Sequence, residues 1–289
     1  MMKFFKIIGV LALVLVVLAL GGIRYIGAWN LVFPNHQHDT QAPAIPPGLG
    51  KPAVLVFSKT NSFRHEEGIE AGGPALRAVT SSLGLAMFHT ENGAVFNADD
   101  LGRFDAVVFL NATGEMLSAA QEQAFQNWLE AGGGWLGIHA AGDSSHLAWR
   151  WYRDKLIGAD FTAHPMGPQL QVATVVMENH AHPVIQHLPN IWDHRDEWYS
   201  WENSPRGEGF NILATLDEDS YSPIQKFLGS EVDLHMGDHP VVWTNCVARG
   251  RSVYTAMGHT AEAFAKPELL TLLENAIKWI VAANDGEGC

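Results

Sequence analysis

The chain has 289 residues, 47% of them hydrophobic, enough to bury one large core or two small ones. Its formal charge of −13, with no basic cluster, argues against nucleic acid or anionic lipid as a partner of the globular part. Two cysteines, Cys246 and Cys289, make neither a disulfide framework nor a CxxC metal site, and the sequence leaves open whether they pair.

Residues 1–33 stand apart from the rest. Lys3 and Lys6 precede an uncharged run from Ile7 to Ile23, and Arg24 closes it. That run reaches the lower limit for a membrane span, roughly 17 residues. Phe4, Phe5, Tyr25, Ile26, Trp29 and Phe33 extend it with interfacial aromatic and apolar character. Its length favours an uncleaved signal anchor over a cleaved secretory signal, for which Ala19-Leu20-Gly21 is only a fair cleavage site. A buried core helix fits the flanking lysines poorly. Both favoured readings export the domain, since the lysines hold the N-terminus on the cytoplasmic side. The expected location is therefore membrane-anchored, with the globular part periplasmic or extracellular. Residues 34–52, with Ala-Pro-Ala-Ile-Pro-Pro-Gly at their centre, read as a semi-rigid spacer holding the domain off the membrane, with His36 and His38 solvated.

From residue 53 to about 285, short apolar runs alternate with helical patterns. Ala53 to Phe57 predicts a strand, Glu66 to Leu83 a helix, and Leu85 to Phe88 and Phe104 to Leu110 two further strands. Ser118 caps a helix with Gln121 in the capping-box position, and the helix runs to about Ala131. Gly132, Gly133 and Gly134 stop it. Trp135 to Ile138 is then a brief buried strand, followed by a sharp turn at His139. Serine or cysteine at such a turn is a covalent nucleophile; histidine binds metal or moves protons instead. The middle, from Asp160 to Asp238, is irregular, with strands expected at Leu170 to Met177 and Asn211 to Leu216 and a short helix from His182 to His187. Val241 to Thr244 and Ser252 to Met257 predict the last strands, Arg249-Gly250-Arg251 the turn between them, and Pro267 to Ala283 the final helix. The pattern predicts one α/β domain, a three-layer, doubly wound, mostly parallel sheet, preceded by one N-terminal transmembrane helix.

Ligands of such sheets bind beyond the carboxyl ends of the strands. Three predicted loops bring a histidine there: His65 after the first strand, His139 after the Trp135 strand, and His259 after the Ser252 strand. Asn111, Thr113 and Glu115 follow the Phe104 strand, and Arg64 and Asp143 flank two of the histidines. A second cluster, His194-Arg195-Asp196-Glu197-Trp198-Tyr199, sets carboxylates beside aromatic rings, as a sugar site requires. Its plainer alternative is an acidic turn at a strand start. The other histidines of the middle segment, His164 among them, read as solvated or packing residues.

Four motifs in order carry a resemblance: Ser62-Phe63-Arg64-His65, Gly132-Gly133-Gly134 leading to Gly137-Ile138-His139-Ala140-Ala141, Asp196-Glu197-Trp198-Tyr199, and Pro240 to Trp243 running through Gly250-Arg251 to Tyr254 and Gly258-His259. From about Lys51 to Ala283 the chain resembles the ThuA-like (trehalose utilization) proteins of the class I glutamine amidotransferase-like superfamily. The resemblance implies a flavodoxin-like fold with the Trp135 strand in the place of the nucleophile strand. Glutaminases of that superfamily need cysteine at the elbow, where this chain has His139. His259 lies where they keep a histidine, but Ala261 stands where they keep glutamate. The inherited triad is therefore absent. What remains implied is sugar metabolism, often of keto-sugars made by a partner sugar dehydrogenase.

The expectation is an exported, membrane-anchored enzyme, hydrolase or isomerase, acting on a carbohydrate or keto-sugar. His139, His259, His65 and Glu197 are its candidate catalytic residues, and the three histidines are also candidate ligands of a divalent metal such as zinc. Arg64, Asp143, Asn111, Glu115, Asp196 and Tyr199 are candidate substrate contacts. The alternative is a non-catalytic surface module that binds sugar.

Overall fold

The computed structural model describes residues 2–33, 35–146, 148–227 and 229–282. The apolar N-terminal run forms a helix, α1 (Met2–Tyr25), followed by one short turn of helix, α2 (Trp29–Val32). The side chains of α1 from Phe4 to Leu18 find no protein to pack against. At about 1.5 Å per residue the helix is long enough to cross a bilayer core of about 30 Å.

The domain starts with β1 (Ala53–Phe57), α3 (Glu66–Ser82), β2 (Ala86–Thr90), α4 (Ala98–Leu101) and β3 (Ala106–Leu110). Next come α5 (Ala119–Glu130), β4 (Gly134–Ile138) and the short α6 (Arg150–Tyr152). The elaborated half holds β5 (Phe161–Ala163), β6 (Leu170–Met177), β7 (Ile191–Glu197), β8 (Ser200–Trp201), β9 (Asn211–Asp217), β10 (Ile224–Phe227) and β11 (Ser230–Asp233). The chain closes with β12 (Pro240–Val247), β13 (Gly250–Thr255) and α7 (Pro267–Val281). The expected end of that helix at Ala283, and Cys289, lie outside the described residues.

Nine strands form one sheet in the order β2-β1-β3-β4-β13-β12-β9-β6-β7. From β2 to β13 every pair is parallel, in the flavodoxin-like order, and beyond β13 every pair is antiparallel. Because each antiparallel step reverses direction, all strands except β12 and β6 point the same way. Loops leaving β1, β3, β4, β13 and β7 therefore emerge at one edge.

The strands of the parallel half are short apolar runs because helices cover both faces. Leu110 meets α3 at Gly72, while Phe109 stacks on Phe125 of α5 with ring centroids 5.4 Å apart. Phe109 and Trp135 also pack on Tyr152, at 5.8 and 5.5 Å. Fully burying each such side chain contributes about 1.5–3 kcal/mol. The capping box of Ser118 and Gln121 is formed as expected.

The three glycines at the end of α5 have distinct reasons. Gly132 takes φ +116°, a Cβ at Gly133 would meet the Trp128 indole, and a Cβ at Gly134 would overlap the Ile280 carbonyl of α7. We expect Gly134→Ala to cost about 1–3 kcal/mol by forcing α7 off the sheet, read as a fall in thermal unfolding temperature.

One expectation changes, and one alternative falls away. Residues 35–52 do not stand off as a spacer but run along the domain. Asp39 accepts from Gly93 N at 2.8 Å and pairs with Lys59, Gln121 donates to the Asp39 carbonyl, Arg103 donates to the Pro46 carbonyl, and Ile45 is buried. His38 is held by the Glu115 carbonyl at 3.2 Å. The second cluster, for its part, is not a turn: His194 to Glu197 lie on β7, where Trp192, His194 and Asp196 point inward and Asp193 points outward.

Candidate active site

His139 follows β4 with φ +48°, a left-handed backbone that a non-glycine residue holds only when its surroundings fix it. Tyr254 supplies one restraint by donating to the His139 carbonyl at 2.7 Å. The ring is fixed by a second, Nδ1 to the Ala256 carbonyl at 2.7 Å. A carbonyl only accepts, so Nδ1 carries the proton, and in the neutral ring Nε2 presents a lone pair.

That nitrogen faces Glu197 Oε2 at 3.3 Å and His259 Nδ1 at 3.0 Å. His259 Nδ1 lies 3.2 Å from the same carboxylate oxygen, and His65 Nε2 lies 3.8 Å from it. All four ligand atoms fall within 4.8 Å of one another. His65, His139 and Glu197 are buried and His259 is nearly so. Elements far apart in sequence meet here because the antiparallel half of the sheet curls the end of β7 back over β4 and β13.

Glu197 is gripped on its other oxygen. His164 Nε2 lies 3.3 Å from Oε1, and Gln169 donates to it. Burial alone would raise the Glu197 carboxyl, but His139, His259 and His65, gathered around its Oε2, hold it well below the usual carboxylate range. Burial pushes His65 down to about 3, so its ring is neutral at physiological pH. Burial also opposes charge on His259, yet its hydrogen bond to Glu197 and that residue's charge outweigh this and raise it.

A cavity of about 790 Å³ opens above the cluster. His65, Glu197, His259 and His164 form its polar floor, with Asp143, Ser145, Gln169 and Gln225 around them. Phe63, Phe161 and Tyr199 supply rings, and Ile26 and Leu31 close the N-terminal side. Burial raises the Asp143 carboxyl above its ordinary value.

The structure thus brings His65, His139, His259 and Glu197 together, with Tyr199 and Asp143 on the cavity wall. Asp196 is fully buried beneath them. Its carboxylate accepts from Gly258 N at 2.7 Å, His259 N at 3.0 Å and Glu197 N at 2.9 Å, and meets His194 at 3.2 Å. It holds the turn that presents His259. Asn111 is also buried, donating to the Gly258 carbonyl and accepting from Ala140 N, so it ties two site loops together.

Arg64 and Glu115 do not line the cavity. The Arg64 guanidinium pairs with Glu66 and Glu91, and Glu115 accepts from Ala148 N at 3.1 Å. His164 and Gln169, read as unremarkable in the sequence, prove to be the residues that orient Glu197. Their signal was the loop Ala163-His164-Pro165-Met166-Gly167-Pro168-Gln169, a polar pair in a rigid turn-rich segment.

The donor set fits a divalent cation. Ligand atoms 2.0–2.1 Å from a tetrahedral zinc lie about 3.3–3.4 Å apart, close to the 3.0, 3.2 and 3.3 Å separations among His139, His259 and Glu197, with His65 further off at 3.8 Å from Glu197. His139 Nε2 and Glu197 Oε2, 3.3 Å apart, attract one another with either a proton on the nitrogen or a cation between them. The supports for His139 and Glu197, from Ala256, His164 and Gln169, are those that orient metal ligands.

A flavodoxin-ordered sheet with a histidine elbow at its carboxyl edge defines an α/β fold that resembles the glutamine amidotransferase-like proteins, with His139 where a glutaminase needs cysteine. The family model for ThuA (trehalose utilisation) matches residues 53–280, and the chain belongs to that family. A ThuA-like protein from Bacteroides uniformis, solved by crystallography, is 27% identical over 83% of this chain and 95% of its own, with a TM-score of 0.68. Another, from Parabacteroides merdae, shares the fold at 18% identity and a TM-score of 0.59, over 80% of this chain and 90% of its own. No curated protein matches the chain.

Proposed function

We propose that the protein is an exported, membrane-anchored enzyme that acts on a carbohydrate or keto-sugar with a divalent metal, zinc by the chemistry of its ligands, held by His65, His139, His259 and Glu197. The single observation that carries this is the set of four mutually close donors, three of which, His65, Glu197 and His259, line the cavity. Such an ion supplies Lewis-acid polarisation of a carbonyl, or a hydroxide from water near neutral pH.

The protein's own groups do the rest. His139 is held by Ala256 with its lone pair inward, and Glu197 is oriented by His164 and Gln169. Phe63, Phe161 and Tyr199 offer ring faces to the apolar side of a sugar, while Asp143, Ser145 and Gln225 offer hydrogen bonds to its hydroxyls. Asp143, on the cavity wall outside the ligand set and with its carboxyl raised by burial, is the group suited to carry a proton to or from the ligand. On a keto-sugar, moving a proton from the hydroxyl-bearing carbon beside the carbonyl to the carbonyl carbon, while the hydroxyl proton passes to the former carbonyl oxygen, gives isomerisation; on a keto-glycoside, adding water across the glycosidic bond, with a proton going to the leaving oxygen, gives hydrolysis. A sugar dehydrogenase would be the natural source of the keto-sugar.

The test is a screen of glycosides and keto-glycosides for turnover by the full chain. Product formation that disappears in His139→Ala supports the enzyme. Saturable binding with no product from any of them would leave the surface sugar-binding module instead.

A further inference from the structure

The wall formed by Ile26 and Leu31 belongs to the segment that leaves the membrane helix. α1 ends at Tyr25, and within two residues the chain is fastened to the site. The Gly27 carbonyl accepts from Arg64 N at 3.0 Å, and Asn30 donates to the Thr60 carbonyl at 3.0 Å. Gly27 takes φ +77°, and a Cβ there would overlap the Arg64 carbonyl, so the close approach requires glycine. The loop grasped in this way is the one that carries His65.

With residues 35–52 bound along the domain, no spacer separates the end of α1 from the cavity. Ile26 and Leu31 line the cavity and are still 60% and 57% exposed, which places them at its mouth. Tyr25, Val32 and Phe33, their neighbours in the chain, are exposed as well. An apolar rim of this kind is a liability in water but suits the boundary of a bilayer.

We propose that the cavity opens at the bilayer surface and takes an uncharged glycolipid. The sugar head reaches the His/Glu cluster, and the apolar tail runs past Phe63, Phe161 and Met166 and leaves between Ile26 and Leu31. The inference rests on the carbohydrate and anchoring readings above. The charge of −13 selects a neutral head over an anionic one.

The test uses the full chain in liposomes with two photoreactive lipids, a monoglucosyl diacylglycerol and a phosphatidylcholine, each with a diazirine in its acyl chain. The expected result is that the glucolipid labels cavity residues (Ile26, Leu31, Phe63, Phe161 or Met166), in competition with unlabelled glucolipid, while the phosphatidylcholine labels α1 alone. Replacing Ile26 and Leu31 together by asparagine should cut cavity labelling by about tenfold. Glucolipid labelling confined to the α1 residues that phosphatidylcholine labels overturns the inference. If soluble glycosides are nonetheless turned over, the carbohydrate reading survives that failure. Absence of any label in α1 from either lipid removes the anchoring, and the inference with it.

Discussion

Glu197→Gln will abolish turnover at this site, by at least about 100-fold, and will strip the chain of its metal while leaving it folded. The oxygen that His65, His139 and His259 share becomes part of a neutral amide, which offers a poor fourth ligand and no charge to balance the cation. Loss of a partner outside the ligand set already costs about 10–100-fold in metal affinity or activity, so loss within it costs more. Folding should survive because the amide has the same shape and removes a charge whose burial is unfavourable. Unfolding temperature, metal content and turnover, measured together, check this. A Gln variant that keeps its metal and its activity would show that Glu197 has no part in the site.

Asp196→Ala is expected to act through the fold. Three backbone N–H groups and His194 converge on a carboxylate with no access to water. Truncation leaves these groups buried and unpaired, at a cost of about 3–5 kcal/mol. For a domain of this size that is a fall of roughly 6–20 °C in unfolding temperature. Although burial opposes ionisation, the hydrogen bonds and neighbouring histidines hold the Asp196 carboxyl below its ordinary value of 3.8. Its stabilising effect is therefore complete above that pH and is lost as the pH falls below it, so the variant should show a flatter acid limb than the wild type. A loss under about 1 kcal/mol would contradict this.

Much of the site was legible because parallel strands export their loops to one edge. The buried runs at Ala53–Phe57, Ala106–Leu110 and Gly134–Ile138 are apolar on both faces, and the residues that follow them are His65, Asn111 and His139. β7 was hidden for the opposite reason. Its inward positions are Trp192, His194 and Asp196, so polar groups occupy the face where periodicity looks for apolar ones. The grouping of carboxylates beside aromatic rings, rather than any pattern of hydrophobicity, singled out Glu197.

Sequence distance misled in other places. Arg64 adjoins His65, but its guanidinium is taken by Glu66 and Glu91, and Glu115 is taken by Ala148. A proline-rich composition suggested a free spacer, yet a few specific anchors, Asp39 and Ile45 chief among them, bind residues 35–52 to the domain. Composition describes the average behaviour of a segment, whereas a single buried side chain decides where it lies.

The central claim, a divalent metal at the meeting point of His65, His139, His259 and Glu197, is tested most directly by metal content. The full chain, purified without chelators and then equilibrated with zinc, should carry about one tightly bound ion per molecule and unfold at a higher temperature than the chelator-treated protein. His139→Ala should lose both the ion and the shift. A wild-type chain that stays metal-free after equilibration, with its unfolding temperature unmoved by zinc, would contradict the account.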